Sequence, residues 1–140
     1  MEKLTQLQIK EIAEELDSGL IGYMNIKTGE LLFMPDFDKQ LDALEEFWEE
    51  GITKLKNDRK NFLRIDQLSS HESFKIMEDF AEQLSDGKLK SKLFDALNKR
   101  HPFREFKFLV DNSGPYRQEW FDFKSKELIA FLNDRLADFV

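Results

Sequence analysis

One stretch constrains the fold more than any other: "LIGYMNIKTGELLFM", residues 20–34. Two short apolar runs flank "KTGE", and Gly29 stands where a turn needs a left-handed residue. The pattern reads as a β-hairpin with a longer loop. Pro35 ends the second strand, because proline has no N–H to donate to a ladder.

On either side of the hairpin the spacing is helical. "LTQLQIKEIAEELDSG" opens with Thr5 and Gln8 at capping-box spacing and with Leu4 and Ile9 at staple spacing. Ile9, Ile12, Ala13 and Leu16 form one apolar face, and Gly19 reads as its stop. From Asp36 to about Asn57 the same period predicts a long helix carrying Leu41, Leu44, Trp48, Ile52 and Leu55, with a very acidic outer face. Gly51 is a weak point in it.

"KNFLRID" predicts a third strand. "SSHESFKIMEDFAEQLS" is a helix capped by Ser69 and Glu72, with Phe74, Met77, Phe80 and Leu84 as its stripe. "DGKLKSKLFDALNKR" continues with Leu89, Leu93, Ala96 and Leu97. Pro102 suits the first turn of the next helix. "NSGP" breaks the chain, and a last helix is predicted from about Pro115 to Asp138. No repeat, low-complexity segment or linker interrupts this order. The fold class is therefore α+β: a helix-rich single domain of residues 1–140, with a small antiparallel sheet (hairpin plus one strand) and a helical C-terminal half.

Composition removes several functions. The chain has no cysteine, which excludes disulfides, thiol nucleophiles and zinc–thiolate sites. No signal-peptide-like core opens it, and no apolar run approaches the ~20 residues of a membrane span. A soluble, cytoplasmic protein without membrane association is expected. His71 and His101 stand thirty residues apart and "HESFK" lacks the second histidine of HExxH, so no metal site is assigned. GxSxG, Walker and GxGxxG patterns are missing, and no cofactor is assigned.

Charge is divided unevenly. Residues 1–50 hold four basic and thirteen acidic residues, and residues 51–140 hold seventeen and fifteen. Residues 88–107 concentrate seven cations, Lys88, Lys90, Lys92, Lys99, Arg100, Arg104 and Lys107, against Asp95 and Glu105. Phosphate neutralisation supplies most nonspecific nucleic-acid affinity, so a chain of net charge −7 is disfavoured as a general nucleic-acid binder.

Of fourteen phenylalanines, ten lie after residue 70, and the plain expectation is a phenylalanine-built core. In "RHPFREFKFL", Phe103, Phe106 and Val110 share one predicted helix face, while Arg104 and Lys107 share another. That segregation points to an amphipathic helix and counts against stacking of bases on exposed rings. Glu78 and Asp79 flank Met77 and Phe80, which sets them closer to a cleft than the pairs Glu45/Glu46 and Glu49/Glu50 on the acidic helix face.

"YMNIKTGELLFM", "RID", "SFKIMEDFAEQL", "ALNKRHPFREFKFLV" and "EWFDF" follow one another in this order. Together they resemble an uncharacterised bacterial protein family, number 0158 of the UPF series, over roughly residues 8–130. The matching positions are Met77, Glu78, Asp79, Phe80, Phe103, Arg104, Phe106, Lys107 and Trp120. The chain departs from the family pattern at His101–Pro102, where a glycine-containing pair is expected. The resemblance implies a stand-alone cytosolic bacterial domain and implies no activity.

Three functional readings follow. The first is an interaction or regulatory module that binds a protein partner, a second copy of itself included. The second is a binder of nucleic acid or an anionic ligand through residues 88–107. The third is an enzyme using Glu78 or Asp79, with Arg104 or Lys107 as an anion clamp. The binding candidates are Arg100, Arg104, Lys107, Glu78, Asp79 and Trp120, and no residue is assigned as catalytic.

Overall fold

Local capping chemistry places the first helix. In the computed structural model, which describes residues 2–140, α1 (Gln6–Asp17) begins at Thr5. The Thr5 hydroxyl accepts from the Gln8 N–H at 3.2 Å, and the Gln8 side chain accepts from the Thr5 N–H at 2.9 Å. Two orphan amides are satisfied reciprocally. Ile9, Ile12, Ala13 and Leu16 are buried, as their spacing predicts.

The hairpin follows as β1 (Ile21–Asn25) and β2 (Leu31–Met34), antiparallel, with Ile21 opposite Met34 and Met24 opposite Leu31. Gly29 takes φ 79° in the turn, a conformation that costs other residues. β3 (Phe62–Ile65) pairs with the free edge of β1, Gly22 opposite Ile65 and Asn25 opposite Phe62. The sheet order is β2–β1–β3, so the first strand is central. A knot of amides holds the far end. The buried Asn25 donates through Nδ2 to Asp58 Oδ2 at 2.8 Å, and its Oδ1 accepts from the N–H groups of Lys27 and Thr28.

Residues 36–48 depart from the predicted long helix. Only α2 (Glu49–Asn57) is α-helical, preceded by a 3₁₀ turn at Glu45–Trp48. Asp36 closes a turn at the start of this segment. Its carboxylate accepts from the Asp38 N–H at 3.1 Å and from Arg64 Nη2 at 3.0 Å, while its carbonyl accepts from Lys39 and Gln40. Such a bond favours caps and turns, and here the single turn is not continued as a helix. Leu41, Leu44 and Phe47 have no apolar face to meet and stand exposed at 86%, 55% and 76%. Trp48, Ile52 and Leu55 do pack, against Leu32 and Met34. Gly51 does not break α2.

The helical C-terminal half comprises α3 (Ser70–Gln83), α4 (Gly87–Leu97), α5 (Pro102–Asp111) and α6 (Tyr116–Arg135), with a 3₁₀ turn at Ala137–Phe139. Ser69 and Glu72 form the expected capping box, Asp86 caps α4, and Pro102 occupies the first turn of α5. The fold is α+β and helix-rich, with one three-stranded antiparallel sheet among the described residues.

The chain divides into two compact units, Met1–Gln67 with Ile129–Val140, and Leu68–Leu128. The first is closed by its two ends: the Leu4 N–H donates to the Phe139 carbonyl at 2.7 Å, and the side-chain amides of Gln6 and Asn133 bond each other. The second has its own core of Met77, Phe80, Ala81, Leu84, Leu93, Leu97, Phe106, Val110 and Trp120. The phenylalanines build less of the interior than expected. Only Phe80 and Phe106 are fully buried, nine are half-buried, and Phe47, Phe103 and Phe108 are exposed.

Candidate functional site

All six candidate residues lie in the second unit. Its centre is aromatic. Phe80 of α3 meets Trp120 of α6 at 5.2 Å between centroids, Phe123 at 5.5 Å and Phe106 of α5 at 6.4 Å, each edge to face. Edge-to-face contact places the positive edge of one ring against the negative face of the next. This cluster fixes α5 against α3 and α6 and thereby orients the outer surface of α5.

That surface differs from the predicted one in a single residue. Phe106 and Val110 are buried and Arg104 and Lys107 are exposed, as the spacing predicts, but Phe103 is 43% exposed. Phe108, 66% exposed, adds a second ring to the outer face. Phe103, in the first turn of α5, lies at the boundary between the core and solvent. Arg104 makes only a loose approach to Glu105, 3.9 Å, and Lys107 and Arg100 form no ion pair among the described residues.

A hollow of about 470 Å³ opens beside this helix. Phe106, Val110 and Trp120 form its buried floor, and Phe103, Lys107 and Phe121 stand at its rim. Arg117 and Lys124 complete it. The Arg117 guanidinium lies 4.6 Å from the Phe121 ring centre, and Lys124 Nζ lies 5.5 Å from Trp120 and 5.4 Å from Phe121. Asp111 is the acidic residue of the lining, and its carboxylate already accepts from Arg117 Nε at 3.3 Å.

The candidates separate here. Lys107 and Trp120 line this hollow, whereas Arg100, Arg104, Glu78 and Asp79 do not. Asp79 accepts from Lys75 Nζ at 2.9 Å, one helical turn earlier. That bond holds the Lys75 ammonium above its ordinary pKa. No ion pair joins Glu78 or Asp79 to Arg104 or Lys107 among the described residues, so acid and proposed clamp are not paired. The basic stretch is itself divided. Lys88 and Lys92 border a different hollow of about 430 Å³ with Asp86 and Tyr116. There burial, and then the Asp86 carboxylate, push the Tyr116 hydroxyl above its ordinary pKa. Lys90 is turned to Glu82.

Arg117, Phe121 and Lys124 line this hollow and are not among the candidates that the sequence singles out. Their signal was present: Arg117 precedes Phe121 by four residues, and Lys124 follows Trp120 by four. On a helix that spacing sets a cation over a ring. No group of three or more potential metal ligands occurs among the described residues, and no helix there is long and apolar enough to cross a membrane.

Comparison with known proteins covers these elements together. UPF0158 protein PA5073 of Pseudomonas aeruginosa is 29% identical over 135 residues, spanning 94% of this chain and 82% of that protein. No solved structure matches the chain. The family described as "Uncharacterised protein family (UPF0158)" matches residues 3–138, which takes in the hairpin, the aromatic centre and every residue of the hollow. The chain belongs to the UPF0158 family.

Proposed function

We propose that this protein is a protein-interaction module whose partners include a second copy of itself. One observation carries the reading. Of the eight large apolar side chains exposed on the described surface, five stand on two oppositely charged segments. Leu41, Leu44 and Phe47 lie among Asp42, Glu45, Glu46, Glu49 and Glu50. Phe103 and Phe108 lie among Arg100, Arg104 and Lys107, with Glu105 the one acid between the two rings. Scattered exposed apolar groups are ordinary, but apolar groups gathered within charge of one sign suit a partner of the other sign. Charge then steers the encounter, and desolvated rings supply most of the affinity.

Light scattering coupled to size-exclusion chromatography tests this. At low salt and high concentration the expected mass exceeds the 16.6 kDa of one chain. It falls toward that value in 0.5 M salt (a Debye length below about 5 Å), and in a Phe103→Ser/Phe108→Ser variant. A single-chain mass under every condition, together with no protein partner retained by the immobilised protein, removes the reading.

A second reading keeps the anion-binding surface, because Lys88, Lys92, Lys99, Arg100 and Lys107 form no ion pair among the described residues. The net charge of −7 weighs against nucleic acid as the anion. A labelled single-stranded oligonucleotide that shows no change in anisotropy at low salt ends the nucleic-acid form of it.

A further inference from the structure

We propose that the hollow between α2 and the sheet is a binding site for a small zwitterion, an apolar body bearing one ammonium and one carboxylate. This goes beyond the interaction reading and does not depend on it. The space is about 250 Å³ and is lined by residues of the first unit alone. That volume is below the roughly 300–1,000 Å³ of sites for drug-sized molecules, so the occupant is small. Ile21 of β1, Met34 of β2 and Leu55 of α2 are buried and give it an apolar floor.

The charges of the lining select the ligand. Three acids, Asp36, Asp38 and Glu45, and three bases, Lys56, Arg59 and Arg64, border this one space. Asp36 and Arg64 are already committed. The buried Asp36 carboxylate accepts from Arg64 Nη2 at 3.0 Å, and Arg64 Nε donates to Asp66 at 2.6 Å. The other four form no ion pair with one another or with any other described residue. Two acids and two bases thus share a hollow without reaching each other. A ligand with both charges bridges them: its ammonium donates to Asp38 and Glu45, and its carboxylate accepts from Lys56 and Arg59. Such charge-assisted hydrogen bonds are stronger than neutral ones. The charged lining sums to zero, so a plain anion meets two carboxylates uncompensated and a plain cation meets Lys56 and Arg59. Unpaired like charge of this kind rejects the wrong ligand.

Titration of the ¹⁵N-labelled protein with L-leucine, followed by the arginine Nε–H and indole N–H resonances, tests the site. The Arg64 Nε–H is expected to shift and the Trp120 indole, in the other unit, to stay. 4-Methylpentanoate is leucine without its ammonium, and 3-methylbutylamine is leucine without its carboxylate. Each is expected to bind about tenfold more weakly. A Lys56→Ala/Arg59→Ala variant should lose that factor for leucine and none for the amine. An Asp38→Asn/Glu45→Gln variant should lose it for leucine and none for the acid. All four side chains belong to exposed residues, so both variants are expected to fold, which circular dichroism checks. The Leu41→Ser variant leaves binding intact, because Leu41 does not line the hollow, so a failure of this proposal is separable from a failure of the interaction reading. An unmoved Arg64 resonance at millimolar leucine, equal binding of the three ligands, or unchanged leucine binding by both double variants overturns the proposal.

Discussion

The Trp120 indole and the Phe106 ring meet edge to face, 4.9 Å between centroids at an angle of 68°. One comes from α6 and the other from α5, and both also touch Phe80. The three rings thus join three helices at one point, and two of them, Phe106 and Trp120, also floor the hollow beside α5.

Phe80 is the test of the core. It is 1% exposed and meets three other rings. Phe80→Ala is expected to cost about 3–5 kcal/mol, the transfer and cavity terms together, and Phe80→Leu less than half of that. Urea unfolding followed by circular dichroism measures both. Equal midpoints for wild type and Phe80→Ala would contradict the burial.

The exposed segment before α2 should behave in the opposite way. Leu41→Ser and Phe47→Ser are expected to change stability by no more than about 0.5 kcal/mol, the range of ordinary surface substitutions. They should nevertheless weaken any salt-sensitive self-association seen by light scattering. A loss of several kcal/mol at Leu41 would restore the long helix that its spacing suggests.

Acid should act through Asp58. Its carboxylate accepts from Asn25 Nδ2 at 2.8 Å and from Asn61 Nδ2 at 2.6 Å. These donors, Asn25 first, hold its pKa below the ordinary 3.8. The unfolded chain therefore takes up this proton first as pH falls. The stabilising effect is complete above the ordinary value and is lost as pH drops through the lowered folded value. Asp58→Asn is expected to lower the denaturation midpoint by a constant amount between pH 5 and 7, with the gap closing below about pH 4. A gap that widens in acid would reverse the sign.

Two glycines should respond with opposite signs. Gly29 sits at φ 79°, so Gly29→Ala is expected to cost about 1–2 kcal/mol. Gly51 lies inside α2, and a Cβ there would meet only the Met34 Cε, 3.3 Å away at the end of a flexible side chain. Gly51→Ala is expected to add several tenths to about 1 kcal/mol. Paired thermal melts decide both.

Residues 1–140 are expected to unfold as one domain. α6 runs without a break across the boundary between Leu128 and Ile129, and the first unit is incomplete without residues 129–140. Trp48 and Trp120 report on different units. Single-tryptophan variants, Trp48→Phe and Trp120→Phe, should give coincident urea transitions. Separated midpoints would mean two domains.

What the sequence by itself determined was local. The caps at Thr5 and Ser69, the left-handed turn at Gly29 and the start of α5 at Pro102 depend on atoms no more than a few residues apart, so the chain encodes them without knowing its tertiary neighbours. The division of Arg104 and Lys107 from Phe106 and Val110 was legible for the same reason: helical period alone produces it. Tertiary structure decided the rest. Residues 36–44 have helical spacing, but an apolar stripe makes a helix only where something covers it, and Asp36 is bonded to Arg64, twenty-eight residues away. Phe103 and Phe106 are the same residue type three positions apart, yet only Phe106 reaches Phe80 and Trp120. The hollow beside α5 joins side chains of α3, α5 and α6, and the Asp111–Arg117 ion pair beside it links the end of α5 to the start of α6. Such features belong to the packing of helices against one another, for which periodicity carries no distance.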